Sequence, residues 1–282
     1  MTPLKRVVKR VADRYFSFRL FTYNADAMQD FQVVILAAGK GTRMKNDALP
    51  KVLHELDKKT LIEHVLGTAQ AVSSVHKPIV VVGYLKEMVM SQLSDGCLFA
   101  EQAEQLGTGH AVSCALEVAT APHIMVLLGD MPFIKESSLV AIAAEHVASD
   151  TVMSMFTTTV PHFTGHYSGF ERFGRIIRNA DKQVAGIREY KDATPEERDI
   201  TEVNPSIYVF RTDWLKKSLR NLNNDNAQQE YYLTDLVALA MTSGEKITTA
   251  PIATAEVFGI NSREDLEHAH TYYIEQGDMV SA

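Results

Sequence analysis

The sequence predicts an α/β fold built on a mostly parallel sheet. Compact apolar runs alternate with helix-period patterns through the first half, and a Gly-rich turn follows the first run. A hydrophobic content of 46% over 282 residues supplies a sizeable core, as a sheet covered by helices on both faces requires.

Val33–Ala37 is a short unbroken apolar run, the pattern of a strand buried on both faces. A helical pattern follows across Leu61–Val72, then a second strand at Ile79–Val82 and a third at Met125–Leu128, flanked by helices over Thr108–Val118 and Ser137–Val147. This order predicts right-handed βαβ units. Beyond about residue 150 the texture changes. Val152–Val160 reads as a strand and His162–Phe173 as a Gly- and aromatic-containing connection. Ile176–Arg178 and Val184–Arg188 read as a hairpin around Asp181-Lys182. Ser206–Phe210 is a further strand, Trp214–Leu222 a helix, and Ser262–Tyr273 a closing helix with Ser262 as its N-cap. The organisation expected is a basic extension over 1–30, one two-lobed domain over 31–270 and a short tail over 271–282.

The formal charge of −7 gives no overall reason to expect a nucleic-acid partner. Residues 1–27 stand apart: six basic side chains against Asp13 and Asp26 make that stretch +4 and leave −11 for the remainder. Such a segment fits a targeting peptide, a surface-binding helix or a tail, and Met28 fits an alternative start. No apolar run approaches the roughly 18 residues of a membrane-spanning helix. Cys97 and Cys114 form neither a C-x-x-C pair nor a Cys/His cluster, so a disulfide framework or zinc site is not expected and a cytoplasmic setting is.

The densest chemistry lies in Leu36-Ala37-Ala38-Gly39-Lys40-Gly41-Thr42-Arg43-Met44, closing at Leu49-Pro50-Lys51. A buried strand delivers the chain to a loop whose small residues let backbone N–H groups approach a ligand, with Arg43 and Lys51 as nearby cations. The spacing is neither G-x-x-x-x-G-K-[ST] nor G-x-G-x-x-G. Taken alone it fits a phosphate loop or a tight turn carrying surface charge.

Five more blocks follow in order: Gln102–Ala111, Phe173-Gly174-Arg175-Ile176, Glu189–Thr194, Glu230–Asp235 and Gly259–Arg263. With the first, they make the chain resemble, over about residues 31–270, the uridylyltransferase domain of the bifunctional enzymes that make UDP-N-acetylglucosamine from glucosamine-1-phosphate. The resemblance implies a Rossmann-like nucleotide-diphospho-sugar transferase fold with a sugar-binding lobe. It implies UTP and N-acetylglucosamine-1-phosphate as substrates, UDP-N-acetylglucosamine and pyrophosphate as products, and a place in cell-wall precursor synthesis. Arg43 and Lys51 are the implied catalytic cations. Leu36, Ala37, Ala38, Gly39, Gln102, Gly107 and Thr108 would hold the nucleotide, and Gly129, Gly174, Glu189 and Asn204 the sugar. Asp130 and Asn261 would hold Mg²⁺, which suits hard oxygen donors.

The sequence departs from the family where Asn204-Pro205-Ser206 replaces the usual N-T-G, and where Leu128 and Phe173 stand at positions often held by tyrosine. Proline removes an N–H and a lost tyrosine removes a hydroxyl, so the departures bear on which sugar is taken. The family's second half, a left-handed β-helix with acetyltransferase chemistry, has no counterpart within these 282 residues. Acetylation is therefore not expected, and a monomer is. Nucleotidyl transfer to another sugar, polyol or amino-alcohol phosphate, and a non-catalytic regulatory role, stay open from sequence alone.

Overall fold

The computed structural model describes residues 25–72 and 75–280; most of the basic extension therefore lies outside the described residues. In chain order, the first part comprises β1 Phe31–Leu36, a small hairpin of β2 Glu55–Leu56 and β3 Lys59–Thr60, and α1 Leu61–Val72. It continues through β4 Ile79–Val82, α2 Lys86–Leu93, β5 Leu98–Glu101, α3 Thr108–Leu116, β6 His123–Leu128, α4 Glu136–Ala148 and β7 Met153–Thr159. The second part holds β8 Gly174–Arg178, β9 Val184–Arg188, α5 Pro195–Arg198, β10 Glu202–Asn204 and β11 Tyr208–Arg211. It ends with α6 Thr212–Ser218, α7 Asp235–Thr242, β12 Ile247–Pro251 and α8 Arg263–Val280.

Ten strands form one mixed sheet in the order β5-β4-β1-β6-β11-β7-β10-β8-β9, with β12 added on β7. The core β5-β4-β1-β6 is parallel, whereas β11 runs antiparallel between β6 and β7 and opens an antiparallel extension through β10, β8 and β9. Side chains alternate across the sheet, as the two-residue period of a strand dictates. Phe31, Val33 and Ile35 of β1 join Met125 and Leu127 of β6 beneath α1, α2 and α4. Val34, with Ile124 and Val126, faces Ala111, Val112, Trp214 and Leu236 on the opposite side. Three layers result, with helices on both faces of the parallel core.

Local sequence explains the helices nearest the site. In α1, Leu61, Ile62, Val65, Leu66, Ala69 and Val72 are buried at helical spacing. Its start is fixed by Glu63, which accepts from the Thr60 N–H at 2.7 Å while the Thr60 hydroxyl accepts from the Glu63 N–H at 3.4 Å. Ser262 and Asp265 repeat that reciprocal cap at α8, and the expected Ser262 N-cap is present.

Several elements differ from the sequence reading. The connection expected over 162–173 contains a 3-10 helix at Gly165–Arg172. The strand expected from Ser206 begins at Tyr208, because Ser206 has a left-handed φ of 59° and cannot enter a ladder. Met28 precedes β1 in a 3-10 turn and is buried in the core.

Candidate active site

The C-terminal ends of β1, β5 and β6 open into a cavity of about 300 Å³. Leu36, Ala37, Ala38 and Gly39 form one side of it and Gln102, Gly107 and Thr108 another, so all seven residues expected at the nucleotide line one space. Backbone bonds hold the loop's entry: the Ala37 N–H donates to Val81 C=O at 2.9 Å and the Tyr84 N–H to Ala38 C=O at 3.2 Å. Gly41 is left-handed at φ 62°, and a Cβ there would stand 2.5 Å from Lys51 Cβ. Only glycine lets the loop fold back this closely on the short turn Lys51–Leu53. Lys51 thereby reaches the cavity.

Opposite, Gly107 (φ 105°) lies against the backbone of Tyr231, where a Cβ would meet the carbonyl at 2.7 Å. The Tyr231 N–H donates to Leu106 C=O and the Gly109 N–H to Tyr231 C=O, both at 2.8 Å. The Thr108 hydroxyl accepts from the Leu233 N–H at 3.0 Å. Thr108 therefore pins the 230–234 segment to the start of α3 and does not cap the helix with its side chain. Gln102 is buried at 4% exposure, and its amide donates to Gly107 C=O at 2.9 Å. A carbonyl can only accept, which fixes the amide orientation and leaves Oε1 as the acceptor Gln102 offers a ligand.

At the edge of this cavity three distant segments meet. Lys51 Nζ forms an ion pair with Asp130 Oδ2 and donates to Asn261 Oδ1 at 2.8 Å. Arg43 donates to the same Asn261 oxygen at 2.9 Å. Asp130 follows β6, and its Oδ1 is buried with no hydrogen-bond partner. A carboxylate oxygen left unmatched beside a converging amide oxygen is a fit for Mg²⁺, which takes few protein ligands and completes its shell with water and phosphate. Among the described residues no group of three or more His, Cys, Asp and Glu could hold a metal. A cation here would be shared with substrate phosphates. Asn261 is itself oriented by Asp265, whose carboxylate accepts from the Asn261 N–H at 2.9 Å.

A second cavity of about 140 Å³ adjoins the first, with Leu36, Thr108, Leu128 and Glu230 lining both. Glu189 lines it and accepts from the Thr234 hydroxyl at 3.0 Å. Burial raises the Glu189 pKa, and the charges of Asp235, Asp192 and Glu230 add to that against the Thr234 bond. Of the other residues expected at the sugar, Gly174 lies beneath Glu189, where a Cβ would meet Ile187 at 2.8 Å and Glu189 Oε1 at 3.5 Å. Gly129 is packed between Ile62 and the Leu36 carbonyl. Asn204 is buried in the wall behind the cavity and lines neither space. Sequence reasoning missed Ser206, Tyr208 and Tyr232, which do line it. The sequence signals near them were the departure at Asn204-Pro205-Ser206 and, for Tyr232, the block Glu230–Asp235.

Residues 33–230 match the MobA-like NTP transferase domain. The chain is 40% identical over 237 residues to the bifunctional protein GlmU of Idiomarina loihiensis, which covers 83% of this chain and 50% of that protein. It is 41% identical over 242 residues to bifunctional protein GlmU of Streptococcus pyogenes serotype M18, covering 84% and 50%. The chain thus spans about half the length of the curated relatives it matches. A putative glucose-1-phosphate thymidylyltransferase from Bacillus anthracis superposes with a TM-score of 0.67 at 17% identity, over 86% of this chain and 94% of that one. A CMP:2-keto-3-deoxy-manno-octonic acid synthetase complexed with CTP gives 0.64 at 17% identity, over 88% and 99%. These two establish the Rossmann-like nucleotide-sugar transferase fold, and the closer sequences narrow it: the chain belongs to the MobA-like NTP transferase family, as a nucleotidyltransferase domain of the GlmU kind.

Proposed function

We propose that the protein transfers a uridylyl group from UTP to N-acetylglucosamine-1-phosphate, giving UDP-N-acetylglucosamine and pyrophosphate. The observation that carries this reading is the convergence of Lys51, Asp130, Asn261 and Arg43 beside two adjoining cavities, one of nucleotide size and one smaller. A phosphate oxygen of the sugar phosphate attacks the α-phosphorus of UTP in line, and the bond from that phosphorus to the bridging oxygen of pyrophosphate breaks. No covalent enzyme intermediate is needed, so positioning and charge stabilisation carry the rate. Lys51 and Arg43 neutralise the triphosphate and the departing pyrophosphate. Gln102 Oε1 accepts from a base N–H such as uracil N3–H, and Glu189 accepts from a sugar hydroxyl. Asp130 and Asn261 would hold Mg²⁺, which when bound supplies positive charge to the phosphate oxygens. Synthesis of a cell-wall precursor in the cytoplasm is the setting this activity fits.

The test is pyrophosphate release from the purified protein with Mg²⁺, across a panel of nucleoside triphosphates and sugar phosphates. Release that requires UTP and N-acetylglucosamine-1-phosphate is expected. Release with another pair would keep the chemistry and reassign the pocket, and binding of nucleotide without release from any pair would sink the enzymatic reading.

A further inference from the structure

Asn204 is spent inside the wall of the smaller cavity. Its Oδ1 accepts from the Ser206 backbone N–H at 3.0 Å. A backbone N–H can only donate, so the amide orientation is fixed and Nδ2 must point the other way. Nδ2 donates to Tyr208 Oη at 2.7 Å and to Ser206 Oγ at 3.2 Å. Both amide hydrogens are therefore committed to two hydroxyl oxygens. The bond to the Ser206 N–H closes an Asx-turn around the buried Pro205, which has no N–H to lose.

That turn places Ser206 at φ 59°. A non-glycine residue is disfavoured there, and strain of this kind held by surrounding hydrogen bonds concentrates at functional positions. Ser206 and Tyr208 both line the cavity, with Leu36 and Leu128 as apolar walls and Glu189 as the carboxylate. The Ser206 hydroxyl also lies within bonding reach of the Tyr208 hydroxyl. Each oxygen already accepts from Asn204. Whichever hydroxyl then bonds the other, at least one O–H is left to donate into the cavity.

We infer that the Ser206–Tyr208 hydroxyl pair, polarised by Asn204, is a hydrogen-bond donor of the sugar cavity and makes Ser206 a specificity-determining residue for a substituent that bears an acceptor, the carbonyl of an acetamido group. Asn204 is then a positioning residue and does not meet the sugar. The inference rests on the proposed uridylyl transfer for the identity of the sugar. An ammonium group in the same place offers only donors and would meet this O–H unfavourably.

Calorimetric binding of UDP, UDP-glucose and UDP-N-acetylglucosamine separates the two readings without requiring turnover. The wild-type protein should bind the acetylated sugar nucleotide more tightly than UDP-glucose; equal affinity would overturn the acetamido assignment, together with the proposed sugar. Ser206→Ala keeps the side-chain carbon and loses the hydroxyl, Ser206→Gly also removes the strain, and Tyr208→Phe removes the second hydroxyl. Each should weaken UDP-N-acetylglucosamine about fivefold, the size of one neutral hydrogen bond, and leave UDP and UDP-glucose unchanged. Retained preference in all three variants, or an equal loss for both sugar nucleotides, would overturn the role of the pair while leaving the proposed reaction standing.

Discussion

Lys51 and Asp130 meet as an ion pair across 79 residues of sequence, on the wall of the larger cavity. Neither residue is near the other until the parallel core of the sheet forms. Asn261 joins them from 210 residues beyond Lys51. The lysine ammonium engages one oxygen of the carboxylate and the amide oxygen at once, and with Arg43 on the same amide oxygen the cluster carries a net formal positive charge. Phosphate oxygens would compete for that ammonium when the nucleotide enters.

Lys51→Ala should lower kcat by about 10²–10³-fold, the scale of removing one preorganised charge-stabilising group. The side chain is only 17% exposed but stands at a cavity rim, so the fold should survive. Steady-state pyrophosphate release and a thermal melt check both halves. Near-normal turnover would remove the lysine from the chemistry.

Asp130→Asn keeps the shape and deletes the charge. The Mg²⁺ concentration giving half-maximal rate should rise about tenfold or more, as loss of groups that support a metal typically does. A metal titration that superposes on the wild-type curve would take Asp130 out of the coordination.

Gly41→Ala tests whether backbone approach places the lysine. The added carbon would fall 2.5 Å from Lys51 Cβ at a residue with φ 62°. Displacing the ammonium by about 1 Å can cost up to ~100-fold in rate. Circular dichroism should remain that of the wild type while kcat falls. Unchanged kcat would mean that Lys51 finds its position without this contact.

Glu189→Gln should trade affinity for stability. The raised pKa means that the folded protein holds this proton longer than the unfolded chain does. The penalty is therefore absent below the ordinary carboxylate range, grows as pH rises through the raised pKa, and stays at its full value above. The variant's melting temperature should match the wild type in acid and exceed it near neutrality. Its KM for the sugar phosphate should rise roughly tenfold, because a hydrogen bond to a charged group is lost. Parallel melting curves at every pH would show that the carboxyl is not penalised.

Much of the nucleotide side was legible because its signals are local. The apolar run into Leu36, the glycines after it and the capped closing helix each follow from residues a few positions apart. β5 escaped because only Ala100 of its four residues is buried, the weak signature of an edge strand. α2 escaped because it buries only Val89 and Leu93. β12 has no fully buried residue to mark it, and its pairing with β7 is a long-range fact. Asn204 shows the same limit at the site. Its type and position suggested a sugar ligand, whereas its side-chain hydrogen bonds go to two residues, Ser206 and Tyr208.

The antiparallel insertion of β11 carries a mechanical consequence. β6 and β11 are joined in register from Tyr208 opposite Val126 to Arg211 opposite His123. Asp130 hangs from the end of one strand and Ser206 from the beginning of the other, so a single seam sets the gap between the residues of the two cavities. A slip of one residue along it would translate Asp130 past Ser206 by about 3.4 Å and turn every side chain of the slipped strand to the opposite face. Reach, in this molecule, is a property of strand register, and either pocket could be redrawn without altering it.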